Sequence, residues 1–157
     1  MKPRVYLETS VISYLTARPC RDLVVTAHQQ LTREWWERRR SNFEVFVSRA
    51  VIQEAAAGDP QAAALRLNEI ANLPKLALTA EALALADGLL ERHALPPQSG
   101  TDALHIALAT AHGMDFLITW NCRHIANGEA QQAIASVCGL HGYAAPTICT
   151  PEELMGD

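Results

Sequence analysis

Four oxygen-bearing residues stand out for the chemistry they could share: Glu8, Glu54, Asp102 and Asn121. Glu8 follows the apolar run Val5-Tyr6-Leu7, and Asn121 follows Asp115-Phe116-Leu117-Ile118-Thr119-Trp120. Glu54 lies in a helical stretch after Ser48, and Asp102 opens the apolar segment Ala103-Leu104-His105-Ile106-Ala107-Leu108-Ala109. Hard divalent cations such as Mg²⁺ and Mn²⁺ take oxygen ligands, commonly a few carboxylates with water. Carboxylates gathered without a cation repel, and some take up protons. A bound cation removes that conflict, lowers the pKa of a water and stabilises charge developing on a phosphoryl oxygen. Each residue also has a local use. Glu8 and Asp102 suit the first turn of a helix, Glu54 beside Ala55-Ala56-Ala57 suits a solvated helix face, and Asn121 suits a turn.

Spacing in the chain does not bring these residues together, so the elements between them must. Val5-Tyr6-Leu7 reads as a short buried strand, followed by a helix from Thr9 to Leu15. A helix is expected over 22–39, with Leu23, Val24, Ala27, Leu31 and Trp35 inward at helical spacing. Phe43 to Ser48 is rich in β-branched and aromatic residues, as strands are. A helix over Arg49 to Ala57 stops at Gly58, and Asp59-Pro60 restarts one as N-cap and first helical residue. A third strand is expected at Leu76 to Leu78, then a helix over 80–93 capped by Thr79. Leu95-Pro96-Pro97-Gln98-Ser99-Gly100 reads as a loop. A helix over 102–112 ends at Gly113, Asp115 to Thr119 forms a strand, and a helix over 128–140 precedes a strand at Thr147 to Cys149. Thr150 and Glu153 form a capping box for a last turn. Strands alternating with helices imply a parallel sheet covered on both faces, with its site outside the carboxyl ends of the strands, where Glu8 and Asn121 fall.

The chain has 157 residues, 49% hydrophobic and 19% charged, and is expected to form a single domain over 1–157. Its net charge of -4 does not mark a nucleic-acid binder, but the charge is uneven. Residues 1–66 hold ten Lys/Arg against seven Asp/Glu, and residues 67–157 hold three against ten. Arg38-Arg39-Arg40 either faces a polyanion or solvates a helix end. The four cysteines form no CxxC pair, and Cys122-Arg123-His124 lacks a second pair of zinc ligands. No apolar run approaches the roughly 20 residues that span a bilayer. The chain enters its first strand directly from Met1-Lys2-Pro3-Arg4, so no signal peptide, no membrane association and a cytoplasmic location are expected. GxSxG, GxxxxGK[ST] and GxGxxG motifs are all absent. His105 and His112, two turns apart on one helix face, read as core or partly buried residues. Trp35 and Trp36 read as covering a core edge or a dimer contact.

Taken together, Val5-Tyr6-Leu7-Glu8-Thr9-Ser10, Val51-Ile52-Gln53-Glu54, Thr101-Asp102-Ala103-Leu104-His105-Ile106-Ala107 and Leu117-Ile118-Thr119-Trp120-Asn121 resemble a PIN domain. The resemblance is to the stand-alone bacterial type related to VapC toxins, and it extends to the closing Thr147-Ile148-Cys149-Thr150-Pro151-Glu152-Glu153-Leu154. It implies a three-layer α/β/α sandwich around a five-stranded parallel sheet, with an acidic pocket that holds Mg²⁺ or Mn²⁺ and hydrolyses RNA phosphodiesters by in-line attack of an activated water. Carried over residue by residue, Glu8, Glu54 and Asp102 become metal ligands, and Asn121 takes the fourth acidic position. Thr9 or Ser10 would meet a metal-bound water or substrate phosphate, and Thr119 would brace the strand end. An antitoxin protein and a homodimer are the implied partners beside the RNA substrate.

The chain departs from the family pattern at two positions, with Glu8 for the usual Asp and Asn121 for a frequent acid. An amide can ligate through oxygen but brings no charge, so a second cation would be held less well. Two alternatives remain at this point. One is a catalytically weak or inactive PIN-fold module that binds RNA or protein. The other is a phosphohydrolase or phosphoacceptor domain, which would normally place Asp where Glu8 stands.

Overall fold

The computed structural model describes residues 1–156. The expected domain end at Asp157 lies outside the described residues. Five strands form one all-parallel sheet: β1 (Arg4–Leu7), β2 (Glu44–Ser48), β3 (Lys75–Leu76), β4 (Phe116–Ile118) and β5 (Thr147–Cys149), in the order β3-β2-β1-β4-β5. Seven α-helices alternate with them: α1 (Thr9–Thr16), α2 (Leu23–Glu34), α3 (Arg49–Ala55), α4 (Pro60–Ile70), α5 (Ala80–Glu91), α6 (Gly100–Ala111) and α7 (Gly128–Leu140). α1 packs on α2, α3 and α4, and α5 packs on α6 and α7. The result is the three-layer α/β/α sandwich that the alternation implied. β1 is central, and Val5, Tyr6 and Leu7 are all buried, as a strand covered on both faces requires. Val5 registers with Val45 of β2 and Phe116 of β4.

Local signals set most boundaries. Asp59 caps α4 through the Ala62 N–H with Pro60 in its first turn, Thr79 caps α5 through Ala82, and Thr150 with Glu153 closes its capping box. α6 ends in a Schellman motif: Gly113 takes φ +69°, its N–H reaches the Thr110 carbonyl, and the Met114 N–H reaches Ala109.

Three expectations need correction. The helix expected over 22–39 is α-helical only to Glu34. It then widens into a π-helical turn over Trp35–Arg39 and tightens over Arg40–Asn42. Its inward face also differs. Leu23 and Val24 are 85% and 65% exposed and Ala27 is exposed, and Gln29 and Thr32 are buried in their place, while Trp35 is buried and Leu31 half-buried on the expected side. Polar contacts choose that face, because Gln29 Nε2 donates to the Arg18 carbonyl and Thr32 Oγ1 accepts from Trp120 Nε1. The third strand is Lys75–Leu76, not 76–78. Its partner β2 ends at Ser48, which registers with Leu76, so the ladder has nothing to pair with beyond it. Among the described residues no helix is long and apolar enough to cross a membrane.

Candidate metal centre

The chain winds outward from β1 to β3, then returns to place β4 on the other side of β1. The carboxyl ends of β1 and β4 therefore flank the switch point where open parallel sheets form their sites. Glu8 is the first residue after β1, and its N–H donates to the Ile118 carbonyl at 3.1 Å. Thr119, Trp120 and Asn121 are the first residues after β4.

Glu8 is buried and is held from both strand ends. Its Oε1 accepts from Ser10 Oγ at 2.5 Å and from Thr119 Oγ1 at 2.6 Å, and its Oε2 accepts from the Ser10 N–H at 3.1 Å. The last bond is also the N-cap of α1, so the local use of Glu8 and its place in the acidic cluster coincide. Ser10 Oγ in turn accepts from the Trp120 N–H at 2.8 Å, and Thr119 Oγ1 from the Asn121 N–H at 2.9 Å. These small hydroxyls tie the two strand ends together through one carboxylate.

Glu54 reaches the same place from the last turn of α3. Its Oε1 accepts from Thr9 Oγ1 at 2.7 Å and lies 2.5 Å from His105 Nε2. His105, on α6, is fully buried, and its Nδ1 lies 2.6 Å from Tyr6 Oη, which meets Ser48 Oγ at 2.7 Å. Burial pushes the Glu54 carboxyl up. The His105 hydrogen bond and charge and the Thr9 hydroxyl outweigh it, so the group ends below its ordinary value. Burial, above all, pushes the Tyr6 phenol far up, and it stays protonated.

Asp102 is the third residue of α6 and half-buried. Burial and then the Glu8 charge raise its carboxyl above the ordinary value, against the charges of His105 and His124. Asp102 Oδ1 accepts from Asn121 Nδ2 at 3.3 Å, while Asn121 Oδ1 accepts from the His124 N–H at 3.1 Å. The Asn121 amide thus turns its donor toward the acidic residue and its oxygen back to the chain.

The tightest group of metal-capable atoms belongs to Glu8, Glu54 and His105, all within 4.8 Å of one another. Asp102 stands outside that group but is charge-coupled to both glutamates. Thr9 and Ser10 direct their hydroxyls to Glu54 and Glu8, and Thr119 Oγ1, just after β4, donates to Glu8. His105 is buried, as its position in the sequence implied, but its contact with Glu54 went unforeseen. The available signal was its place one turn beyond Asp102, on the same helix face. His112 is half-buried and bonds the Ala77 carbonyl.

The tryptophans are structural here. Trp35 is fully buried, Trp36 lies 4.3 Å under the Arg40 guanidinium, and Trp120 stacks on His28 at 4.0 Å. Arg38-Arg39-Arg40 precedes the amino end of β2, so the basic run lies at the edge of the sheet opposite the acidic one.

The family model described as the PIN domain matches residues 5–125, a stretch that contains every residue of this cluster. No curated protein matches the chain.

Proposed function

The chain belongs to the PIN-domain family, whose fold is of the nuclease type, and on that premise we propose that it is a divalent-metal-dependent endoribonuclease. The observation that carries this reading is how the carboxylates divide their oxygens. Oε1 of Glu8 and Oε1 of Glu54 each receive two donors, and Oδ1 of Asp102 receives one. Among the described residues, Oε2 of Glu54 and Oδ2 of Asp102 receive none, and Oε2 of Glu8 receives only the Ser10 N–H. Three carboxylates each fixed mainly through one oxygen, with the second oxygen free in Glu54 and Asp102 and holding a single donor in Glu8, suit a small hard cation that takes single oxygens and keeps several waters. Glu8, Glu54 and Asp102 would hold Mg²⁺ or Mn²⁺. When bound, such a cation supplies an acidified water and stabilises charge on a phosphoryl oxygen.

The residues around that centre hold it in shape. Thr119 and Ser10 fix Glu8, Thr9 and His105 fix Glu54, and Asn121 fixes Asp102 in place of the acid frequent there. The finer reading is the toxin of a type II toxin–antitoxin pair acting on cellular RNA in the cytoplasm. Its support is the likeness of the four motifs to VapC toxins. Leu23 and Val24 on α2 and Leu65 on α4 are exposed on helices that both flank α1. They supply an apolar surface for an antitoxin or a second copy.

The test is cleavage of a broad RNA panel by the parent protein and Asp102→Asn, with Mg²⁺, with Mn²⁺ and with EDTA. Cleavage that requires both the metal and Asp102 is expected. Equal cleavage by Asp102→Asn would refute the site. No cleavage under any condition would favour a PIN-fold binding module.

A further inference from the structure

We propose that His105 is a positioning residue of this centre: with Thr9 it saturates Oε1 of Glu54, so that Oε2 is the single oxygen this glutamate offers to a cation. The inference rests on the metal-centre reading above and assigns a role to a buried side chain outside the acidic set.

The argument is a count of protons along a buried chain. His105 and Tyr6 are fully buried and Ser48 is 1% exposed, so the partners of these groups are counted within the protein. The links run from the Val51 N–H to Ser48 Oγ at 3.4 Å, Ser48 Oγ to Tyr6 Oη at 2.7 Å, Tyr6 Oη to His105 Nδ1 at 2.6 Å, and His105 Nε2 to Glu54 Oε1 at 2.5 Å. A backbone N–H only donates. With it at one end, the Ser48 hydroxyl gives its hydrogen to Tyr6, Tyr6 gives its own to Nδ1, and His105 carries a proton on Nε2, facing the carboxylate. Every link then has one hydrogen and none is left over.

The reversed chain fails. With Nδ1–H donating to Tyr6 and Tyr6 to Ser48, the Ser48 hydrogen has no acceptor among the described residues. In the neutral ring, a bare Nε2 lone pair would also face the carboxylate. The contacts of one ring nitrogen therefore settle what the other does, as they do for histidines beside metals.

Two consequences follow at Glu54. A carboxylate oxygen has two lone pairs, and Oε1 fills both, from Thr9 and from His105. Oε2 remains, and one free oxygen is the mode that a small cation with near-octahedral demands accepts. The same chain also grips α3 at both ends, through Ser48 at its N-cap and Glu54 in its last turn. Tyr6 on β1 and His105 on α6 thereby fix where Glu54 stands relative to Glu8.

The test is Mn²⁺ binding to the full chain, read as free Mn²⁺ by electron paramagnetic resonance, for the parent, Tyr6→Phe, His105→Leu and His105→Gln. Tyr6→Phe and His105→Leu are expected to weaken binding about 10–100-fold, as losses of outer-shell partners do. His105→Gln, whose amide can still donate toward Oε1, is expected to recover part of that loss. Tyr6→Phe removes one hydroxyl and keeps the ring, so the test stands even where His105→Leu fails to fold. Spin-echo modulation of the Mn²⁺-loaded parent is expected to show no directly bonded imidazole nitrogen. Such a nitrogen would make His105 a ligand and overturn the positioning role. Unchanged Mn²⁺ affinity in folded Tyr6→Phe and His105 variants would overturn it alone. A parent that binds no Mn²⁺ would overturn the metal-centre reading and this role with it.

Discussion

Replacing Asp102 by Asn separates charge from shape at the acidic edge. The amide keeps the side-chain size and an oxygen for the Asn121 hydrogen bond, 3.3 Å in the parent, but removes one of three neighbouring carboxylates. Burial, then the Glu8 charge, holds the Asp102 carboxyl above its ordinary value of 3.8. The native state therefore binds this proton more tightly than the unfolded chain. As pH rises from the unfolded value through the raised native one, the metal-free fold loses stability. Asn carries no such cost. The group is half-exposed, and solvent screening limits the gain to about 0.5 kcal/mol. For a chain of this length that is a rise in Tm of about 1–2 °C.

Metal is expected to reverse the order. At a hundredfold excess over Kd, Mn²⁺ stabilises the parent by about 2.7 kcal/mol, or about 5–11 °C. Even outer-shell losses cost about 10–100-fold in metal affinity. Taking a hundredfold loss for Asp102 in its proposed role as a ligand, Asp102→Asn is expected to retain about 0.4 kcal/mol at the same concentration. Scanning calorimetry at pH 7 in EDTA and in Mn²⁺ reads both effects. Repeating the EDTA scan at progressively lower pH should narrow the gap between the two proteins, because the parent carboxyl takes up its proton as pH falls through its raised native value. A variant that melts below the parent in EDTA, or keeps the full Mn²⁺ shift, would refute the reasoning.

Three further outcomes are expected. Thr119→Val keeps the shape of a fully buried side chain but removes the donor to Glu8 and the acceptor for the Asn121 N–H. It should cost about 1–3 kcal/mol in urea unfolding at unchanged slope, and a loss below the error of that measurement would contradict the bracing role. Asn121→Asp sets a second carboxylate against Asp102, so the metal-free protein should melt lower and the Mn²⁺ shift should grow; an unchanged shift would remove position 121 from the centre. His93 ends α5 in the left-handed region at φ +59°, with its own N–H on Leu90 and the Ala94 N–H on Leu89. Relief of that conformation in His93→Gly should stabilise the protein by about 0.5–1 kcal/mol, and chemical denaturation showing no gain would count against strain there.

The order of strands and helices and most of their caps were legible in the residues. Asp59-Pro60, Thr79, Thr150 with Glu153, and Gly113 act on backbone groups a few positions away, so their chemistry is complete within a short stretch of chain. The site residues were legible as candidates because Glu8 and Asn121 follow buried strands, and an alternating chain puts strand ends on one edge. The family pattern then tied Glu54 and Asp102 to them.

What the residues alone left open depends on partners distant in the chain. Spacing marked Leu23 and Val24 as inward, but contacts from Gln29 to the Arg18 carbonyl and from Trp120 to Thr32 turned α2 the other way. β3 stops at Leu76 because β2 stops at Ser48. Asn121 turns its NH₂ to Asp102 because the His124 N–H takes its oxygen. His105 is one apolar-face histidine until Tyr6, 99 residues away, and Glu54, 51 away, meet its two nitrogens. A helix period reports which side chains share a face. Which face is buried, and which buried polar atom finds which partner, is settled only when the sheet closes and every buried donor and acceptor must be matched at once.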